Sequence, residues 1–248
     1  MAGHSKWAKV KHIKAVEDAR KGKIFSKIAR EITVAVRLGG SDPAFNPRLR
    51  TVLLKARAAN MPADNVERAI KKGAGELEGQ AFEEVLYEGF LGGVAFLIEV
   101  LTDNKNRTAS EIRSLFTRHG GHLAAAKHLF QRRGQVVVAR DQAPEDKVLS
   151  LALEAGAEDM TSDPDAYIIT TDLHQVEAMH KALEAAGIKV QSAEAAFVPT
   201  VPVPVADEKL ARAVLDLTEA LEDHDDVQNV YSNADIPDAL LEKLKAAA

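Results

Sequence analysis

The apolar pattern of the chain changes once along its length, at a glycine-containing linker between Gly73 and Gly79. Before the linker there are no alternating β-branched runs, and the segment is typical of several helices separated by glycines and prolines. After it, short apolar runs typical of strands alternate with helical stretches. Because a sequence with a helical period does not also form a regular strand, this order predicts an α+β protein with a helical domain at its start.

The clearest predicted helix runs from Lys23 to Leu38. Its apolar side chains fall within one stripe at about 3.6 residues per turn. These residues are Phe25, Ile28, Ile32, Ala35 and Val36. The basic side chains cluster on the opposite face, so we expect one side to pack in a core and the other to contact phosphates. With two arginines of the next helix, the candidate nucleic-acid contacts of this region are Lys23, Lys27, Arg30, Arg37, Arg48 and Arg50.

Two further helices are predicted before the linker. Asn46 is a favoured N-cap residue, and Pro47 fits the first position of the helix that follows. The last helix begins at Pro62 and ends with Lys71 and Lys72. Cations at that end complement the helix dipole, but the same pair suits an anionic ligand. The sequence leaves both interpretations of the pair open.

Beyond the linker, strands are predicted near residues 85–87 and 94–101, followed by a helix at about 107–118. From residue 136 to 197 the predicted elements follow the order βαββαβ, which is the ferredoxin-like pattern. The expected fold class is therefore α+β with three domains, an N-terminal helical domain and two ferredoxin-like-type α+β domains.

A proline-rich run at residues 198–204 separates the βαββαβ unit from the C-terminal segment. Proline cannot donate to a strand ladder, so we expect this run to be an extended connector. The helix predicted at 207–221 and the strand predicted at 227–231 supply elements that the segment before residue 138 lacks, and we expect them to complete it. The expected domains are 1–78, basic and helical; 79–134 plus 205–248, discontinuous and α+β; and 135–204, inserted and α+β.

Charge is divided unevenly along the chain. Residues 1–75 contain 17 Lys and Arg against 6 Asp and Glu, a net charge of +11, whereas residues 139–248 contain 8 against 23, a net charge of -15. The residues between them contain 7 against 8 and are nearly neutral. A basic end on an acidic protein attracts polyanions while the other end repels them, which predicts oriented binding to nucleic acid. The alternative is a solvated surface on which charge happens to be uneven.

The first fourteen residues combine cations with aromatic side chains and include the one tryptophan of the chain. Ammonium groups neutralise phosphates and release counterions, and an indole can stack on an unpaired base. The alternative role for Trp7 is a buried anchor for the N terminus. The candidate nucleic-acid contacts of this segment are Lys6, Trp7, Lys9, Lys11, His12 and Lys14.

Motifs for catalysis and metal binding are missing from the sequence. There is no cysteine, which excludes disulfides and thiolate sites and fits a reducing compartment. His119 and His122 lack a zinc-binding spacing, and the acidic run at 222–226 lacks the glycine turn of an EF-hand. No phosphate-cradling loop, export signal or membrane-spanning apolar stretch is present. We therefore expect a cytoplasmic protein that is not an enzyme, with no cofactor, metal, small-molecule substrate or membrane partner.

Several motifs occur together in an order typical of one family. The chain opens with MAGHSKWAKVKH at residues 1–12 and continues with GKIFSK at 22–27, NPRLR at 46–50, ANMPADN at 59–65, YEG at 87–89 and TDNKNRT at 102–108. In this set and order the chain resembles the YebC family over essentially its whole length. The resemblance implies three domains and a role as a DNA-binding transcriptional regulator.

The same resemblance implies an alternative function. Mitochondrial relatives resemble translational activators, and bacterial relatives are associated with ribosomes at proline-rich sequences, so a translation factor that binds ribosomal RNA is the second hypothesis. The signature starts at Met1 rather than after a presequence, which favours a bacterial-type cytoplasmic protein. The connection from Gly39 to Pro47 is too long for a helix-turn-helix, whereas RNA binding needs no such base-reading helix. The expected partners are DNA or ribosomal RNA, and in addition the transcription machinery or the ribosome.

Overall fold

The computed structural model describes residues 17–78, 81–163 and 165–246. Its α-helices are α1 (Glu17–Gly39), α2 (Pro47–Ala58), α3 (Ala63–Gly73), α4 (Lys105–Arg118), α5 (Glu145–Glu154), α6 (Val176–Ala185), α7 (Glu208–Glu222) and α8 (Asp238–Ala246). Its strands are β1 (Glu83–Leu91), β2 (Val94–Thr102), β3 (His122–Leu123), β4 (Phe130–Ala139), β5 (Ala157–Ser162), β6 (Ala166–Thr171), β7 (Val190–Pro199), β8 (Val203–Pro204), β9 (Val227–Ser232) and β10 (Ala234–Asp235). Short 3-10 turns cover 127–129, 140–142 and 173–175.

Helices α1 to α3 form the helical domain around the apolar stripe of α1. Ile32 of α1 and Leu49 and Val52 of α2 are fully buried there. The predicted cap of α2 is confirmed, because the Asn46 side chain accepts a hydrogen bond from the backbone N–H of Leu49 at 3.0 Å. The Asn46 amide also donates to carbonyls near the end of α1, so one buried side chain joins the two helices.

The predicted end of α3 is wrong by one position, because Gly73 is its last residue rather than the first residue after it. A β-carbon on Gly73 would lie 2.7 Å from the carbonyl oxygen of Thr33, so glycine lets α3 approach α1 closely. Gly75, at φ 78°, takes the left-handed conformation that closes the helix. The backbone N–H groups of Gly75 and Glu76 then bond the carbonyls of Lys72 and Lys71.

The second region is an antiparallel sheet in the order β3-β1-β2-β9. Gly92 and Gly93, both at positive φ, form the two-residue turn between β1 and β2 that positive φ angles permit. β2 is buried on both faces, and its side chains alternate between them. Phe96 packs with the helices, whereas Leu97 packs with residues of β4 and β7 on the opposite side.

The third region is an antiparallel sheet in the order β5-β6-β4-β7, covered by α5 and α6. Numbered within its own βαββαβ unit, this order is 2-3-1-4, which is the ferredoxin-like arrangement. The β3-β1-β2-β9 sheet has the same 2-3-1-4 arrangement when β2 is counted as its first strand, β3 as its second and β9 as its fourth. The place of the third strand is taken by β1, which precedes the other three in the chain. The predicted class, a helical N-terminal domain followed by two ferredoxin-like-type α+β domains, is confirmed.

The C-terminal segment returns to the second region. β9 pairs with β2, and β10 pairs in parallel with β8. On the pairing of β9 with β2 we propose the division stated above, with 79–134 and 205–248 in one discontinuous domain and 135–204 inserted between its halves. Both limits need adjustment, because β4 crosses the one at 134/135 and β8, before the one at 204/205, pairs with β10 of the C-terminal segment.

Two expectations about the inserted unit are wrong. β4 begins at Phe130 rather than near residue 136, and the 198–204 run is not purely a connector, because Pro199 ends β7 and Pro204 lies in β8. β7 is an edge strand and β8 belongs to a two-stranded pair, and edges are where a missing N–H donor is tolerated. Among the described residues, no helix is long and apolar enough to cross a membrane.

Candidate nucleic-acid interface

The predicted contacts of the first fourteen residues lie outside the described part of the chain. They are Lys6, Trp7, Lys9, Lys11, His12 and Lys14. The predicted contacts of the helices all lie within it. The structure separates these into cations that meet carboxylates or carbonyls of the other domains and cations that do not.

The basic stripe of α1 faces the end of α7. Lys23 Nζ donates to the carbonyl of Asp223 at 3.2 Å, and Lys27 Nζ donates to the carbonyl of Glu222 at 2.5 Å. Arg30 donates to the carbonyl of Asp225 at 2.6 Å. The last carbonyls of a helix have no partner within the helix and carry its negative dipole end. The basic stripe of α1 therefore binds the negative end of α7 within the protein. These are the side chains that the sequence predicted to contact phosphates.

Asp226 is the centre of this contact. Its carboxylate is buried and lies 2.7 Å from Arg30 Nη1 and 2.6 Å from Arg107 Nη2, and it accepts hydrogen bonds from the hydroxyls of Thr102 and Thr108. Burial by itself raises the pKa of the Asp226 carboxyl. The hydrogen bonds from Thr108, Arg107 and Thr102 and the charge of Arg30 outweigh that effect, so the pKa lies below its usual range.

The polar turn at 102–108 is therefore used inside the protein. Asn104 caps α4, because its side chain accepts a hydrogen bond from the backbone N–H of Arg107 at 3.1 Å. Thr108 is one of the groups that hold Asp226. Sequence reasoning missed Asp226 as a site residue, because its partners come from two distant segments, α1 and the turn at 102–108.

The basic side chains of α2 meet both α+β domains. Arg48 forms an ion pair with Glu84, and Arg50 forms one with Glu177 at 2.9 Å. Lys55 lies 2.5 Å from Glu194 of β7 and 3.6 Å from Glu31 of α1. These contacts position the helical domain against its neighbours.

The Lys55 cluster also shifts two pKa values. Burial by itself lowers the pKa of Lys55, but the carboxylates of Glu194 and Glu31 outweigh burial and raise it. Burial raises the pKa of Glu31, and the charge of Lys55 only partly offsets this effect. Lys55 is therefore held charged between two acidic groups.

Five other cations of the helical domain form no ion pair with any carboxylate of the described residues. They are Lys21, Arg37, Arg57, Arg68 and Lys72. Arg37 was predicted as a contact, and Arg68 was not. For Lys71 and Lys72 the structure distinguishes two neighbours: Lys71 pairs with Glu67 at 2.7 Å, whereas Lys72 lines a cleft.

This cleft has a volume of about 460 Å³ and lies between α1, α3 and the chain just before β1. We call it the α1–α3 cleft. Arg30 is held at one end, with its guanidinium carbon 5.5 Å from the centre of the Phe82 ring. The lining residues are Gly22, Phe25, Ser26, Ala29, Arg30, Thr33, Met61, Asn65, Arg68, Ala69, Lys72 and Phe82. Cations, aromatic rings and small polar groups thus meet in one concave surface.

The described residues contain no comparable site for a metal ion. Within 17–78, 81–163 and 165–246 no group of three His, Cys, Asp or Glu side chains is placed to hold an ion. His119 Nδ1 donates to the carbonyl of Leu115 at 2.8 Å, and the His122 ring stacks on the Phe90 ring. Both histidines therefore make contacts within the protein.

Comparison with known proteins identifies the family. Residues 5–76 match the TACO1/YebC protein N-terminal domain, and residues 82–234 match the TACO1/YebC second and third domain. A probable transcriptional regulatory protein of Opitutus terrae is 51% identical over 245 residues, which cover 97% of this chain and 99% of that protein. One of Aquifex aeolicus is 49% identical over 248 residues, which cover 98% of this chain and 100% of that protein.

A solved structure has the same fold. The crystal structure of the conserved hypothetical protein Aq1575 from Aquifex aeolicus is similar with a TM-score of 0.87 and 48% identity, covering 94% of this chain and 97% of that one. Both family models and these full-length similarities agree with the motifs and the domain architecture described above. The chain belongs to the TACO1/YebC family.

Proposed function

We propose that the chain is a non-enzymatic regulator of gene expression that binds nucleic acid and acts as a transcriptional regulatory protein. Relatives aligned over almost their whole length carry the name probable transcriptional regulatory protein, which supports the proposal. The DNA of a bacterium lies in the cytoplasm, and we propose that compartment for the chain.

The observation that carries the proposal is the pair Arg68 and Lys72 in the α1–α3 cleft. They lie in a segment of net charge +11, yet they have no carboxylate partner among the described residues. Cations that are already paired must lose a partner before they bind a phosphate, whereas unpaired ones do not. The helical domain therefore presents part of its available positive charge in this cleft.

Other proposed contacts follow from the sequence. The residues at 6–14 named above remain proposed contacts, and so does exposed Arg37 at the end of α1. Arg48 and Arg50 can contribute only by exchanging or sharing Glu84 and Glu177. Lys23, Lys27 and Arg30 would have to leave the end of α7.

A second candidate function is a translation factor that binds ribosomal RNA. The observation that favours it is the presence of Phe25 and Phe82 beside the cations of the cleft. Aromatic side chains stack on unpaired bases, which RNA presents in loops and bulges, whereas duplex DNA keeps its bases stacked inside.

The test is a binding experiment with the full chain at about 0.15 M salt, because phosphate binding depends on ionic strength. The chain is incubated with sheared genomic DNA and, separately, with purified ribosomes, and is then sedimented. Retention by DNA without ribosomes supports the transcriptional role, and retention by ribosomes without DNA supports the translational one. Retention by neither contradicts the proposal. The matched variant carries Lys6→Ala, Lys9→Ala, Lys11→Ala and Lys14→Ala, which is expected to weaken retention.

A further inference from the structure

Two rows of charge run along α3, and they differ in how they are satisfied. Glu67 and Lys71 are four residues apart and form an ion pair on the surface. Arg68 and Lys72 are also four residues apart, but both are cations and both line the α1–α3 cleft. Asp64, one turn before Arg68, forms no ion pair with it. One row is neutral within itself, and the other concentrates positive charge on the cleft.

The Arg68–Lys72 pair is unfavourable for the helix alone. Side chains at positions i and i+4 of a helix are neighbours, and like charges there are destabilising, whereas opposite charges are stabilising. A local arrangement that costs stability without compensation within the protein is characteristic of a functional surface. The ligand that would compensate Arg68 and Lys72 is an anion.

The interior of the cleft is not suited to an inorganic anion alone. Its floor includes the buried side chains of Met61 and Ala69, and its walls include the half-buried rings of Phe25 and Phe82. Neither ring makes a ring–ring contact with another described aromatic residue. A volume of about 460 Å³ lies within the range of sites that hold small organic ligands. The shape and lining of the cleft fit a ligand in which a flat apolar group is attached to a negatively charged group.

We propose that the α1–α3 cleft binds one unpaired nucleotide of a single-stranded nucleic acid. The base lies against Phe25 and Phe82, and the adjoining phosphates lie on Arg68 and Lys72. The inference rests on the proposed function, which it deepens by naming the site and the single-stranded class of ligand. It requires a base that has left its duplex, because a paired base cannot enter a cleft between two helices.

Arg30 has a supporting role in this site. Its guanidinium is fixed by Asp226 and by the carbonyl of Asp225, and it lies over the Phe82 ring. A cation over an aromatic face holds the ring through its quadrupole. Arg30 therefore positions Phe82, and its charge is already compensated by Asp226.

The test measures fluorescence anisotropy of labelled oligonucleotides with the full-length chain. The probes are single-stranded RNA and single-stranded DNA of about ten nucleotides and a duplex DNA of the same sequence, over a series of salt concentrations. The first variant is Arg68→Ala/Lys72→Ala. Its matched control is Arg57→Ala/Lys71→Ala, which removes one Arg and one Lys from exposed positions outside the cleft. The second variant is Phe82→Leu, and thermal unfolding verifies that each variant is folded.

We expect Arg68→Ala/Lys72→Ala to weaken binding to single strands about tenfold at about 0.15 M salt and the control to change it by less than about threefold. The slope of log K against log salt should fall by about 1.4, which is two contacts at about 0.7 each for single strands. Phe82→Leu should weaken binding about tenfold with no change in slope, because stacking releases no counterion. The RNA and DNA arms identify which strand is preferred, and a loss on either supports the site.

Three outcomes overturn the inference. If the cleft variant and its control lose equal affinity, the cleft is not the site, while the proposed function stands as long as the wild type binds. If the cleft variant loses as much affinity for duplex as for single strands, the cations contact a backbone without an unpaired base. If the wild type binds none of the probes, both the inference and the proposed function fail.

Discussion

The helical domain carries two cationic surfaces that the structure treats differently. On α1, Lys23, Lys27 and Arg30 bond the carbonyls and the carboxylate at the end of α7, some 200 residues away in sequence. On α3, Arg68 and Lys72 face a cleft and form no ion pair with a described carboxylate. Both are positive in sequence, but only the second has charge that is free to meet a ligand.

The difference shows what an uneven charge distribution accomplishes in this fold. A net charge of +11 in residues 1–75 and -15 in residues 139–248 attract each other, and part of each is consumed at the interface between the domains. Binding to a polyanion depends on the remainder. The following predictions test whether α1 is structural and α3 functional.

The largest effect is expected for Asp226→Ala, which removes the carboxylate that Arg30, Arg107, Thr102 and Thr108 share. Removing one partner of a buried ion pair leaves the others without compensation, so we expect the free energy of unfolding to fall by about 3 kcal/mol. Urea denaturation of the two proteins measures it. This would establish the α1 surface as part of the domain interface.

The control for Asp226→Ala is Asp225→Ala. Asp225 is exposed, and Arg30 bonds its backbone carbonyl, which the substitution keeps. Its free energy of unfolding should stay within about 0.5 kcal/mol of the wild type. Equal losses in the two variants would mean that the loop backbone, rather than the buried carboxylate, holds α1.

A pH series with Asp226→Asn tests whether the charge of the Asp226 carboxylate is what stabilises the interface. Because the folded pKa of Asp226 is lowered, its carboxylate contributes stability above the unfolded pKa of about 3.9, and this contribution is lost as the pH falls through the folded pKa. The wild type should therefore be more stable than Asp226→Asn at pH 7, and the difference should shrink below about pH 4. Urea midpoints between pH 7 and pH 3 measure it. A difference that is constant with pH would exclude the charge as its cause.

On α3, in contrast to α1, we expect substitution to change the affinity for nucleic acid rather than the stability of the protein. Arg68→Glu removes the like-charge pair with Lys72 but places a carboxylate four residues after Asp64, so the two effects offset and the free energy of unfolding should change by less than about 0.5 kcal/mol. Affinity for single-stranded nucleic acid should nevertheless fall more than about tenfold, because a phosphate contact becomes a repulsion. Thermal unfolding and anisotropy measure the two quantities. A variant that binds as well as the wild type would show that α3 is merely a solvated face.

Much of the fold could be predicted because its signals are local. Asn46 and Pro47 specify the start of α2 from adjacent residues, and apolar periodicity specifies the βαββαβ order. The start of β4 could not be predicted in the same way. Its first residues, 130–133, pair only with β7, and three of them are polar, so they show no alternation of apolar side chains.

The candidate site was predictable only in part, because pairing across the fold decides which cations are available. The sequence identified the α1 stripe correctly as a cationic face, but its partners at 222–226 lie too far along the chain to be inferred. Arg68 was missed although a signal existed. The two cations at positions 68 and 72, four residues apart on one face of a helix, can be read from the sequence, as can the Glu67–Lys71 pair beside them.

The smallest effect is expected for Asp223→Asn. The Lys23 ammonium lies 3.9 Å from the Asp223 carboxylate and 3.2 Å from its carbonyl, and both side chains are about half exposed. An exposed ion pair of this length contributes little, and the carbonyl contact remains, so the free energy of unfolding should change by less than about 0.5 kcal/mol. Urea denaturation measures it.

The same variant also tests whether the acidic segment shields α1 from nucleic acid. Asp216→Asn is the control. Asp216 is exposed on α7, and its substitution removes the same charge at a position away from α1. If Lys23 is held by the carbonyl, the two variants should bind single strands with equal affinity. If Asp223→Asn binds several times more tightly than Asp216→Asn, then the carboxylate, rather than the helix end, keeps Lys23 from phosphates. The α1 surface would then be a second functional surface, and the contrast with α3 would be one of degree.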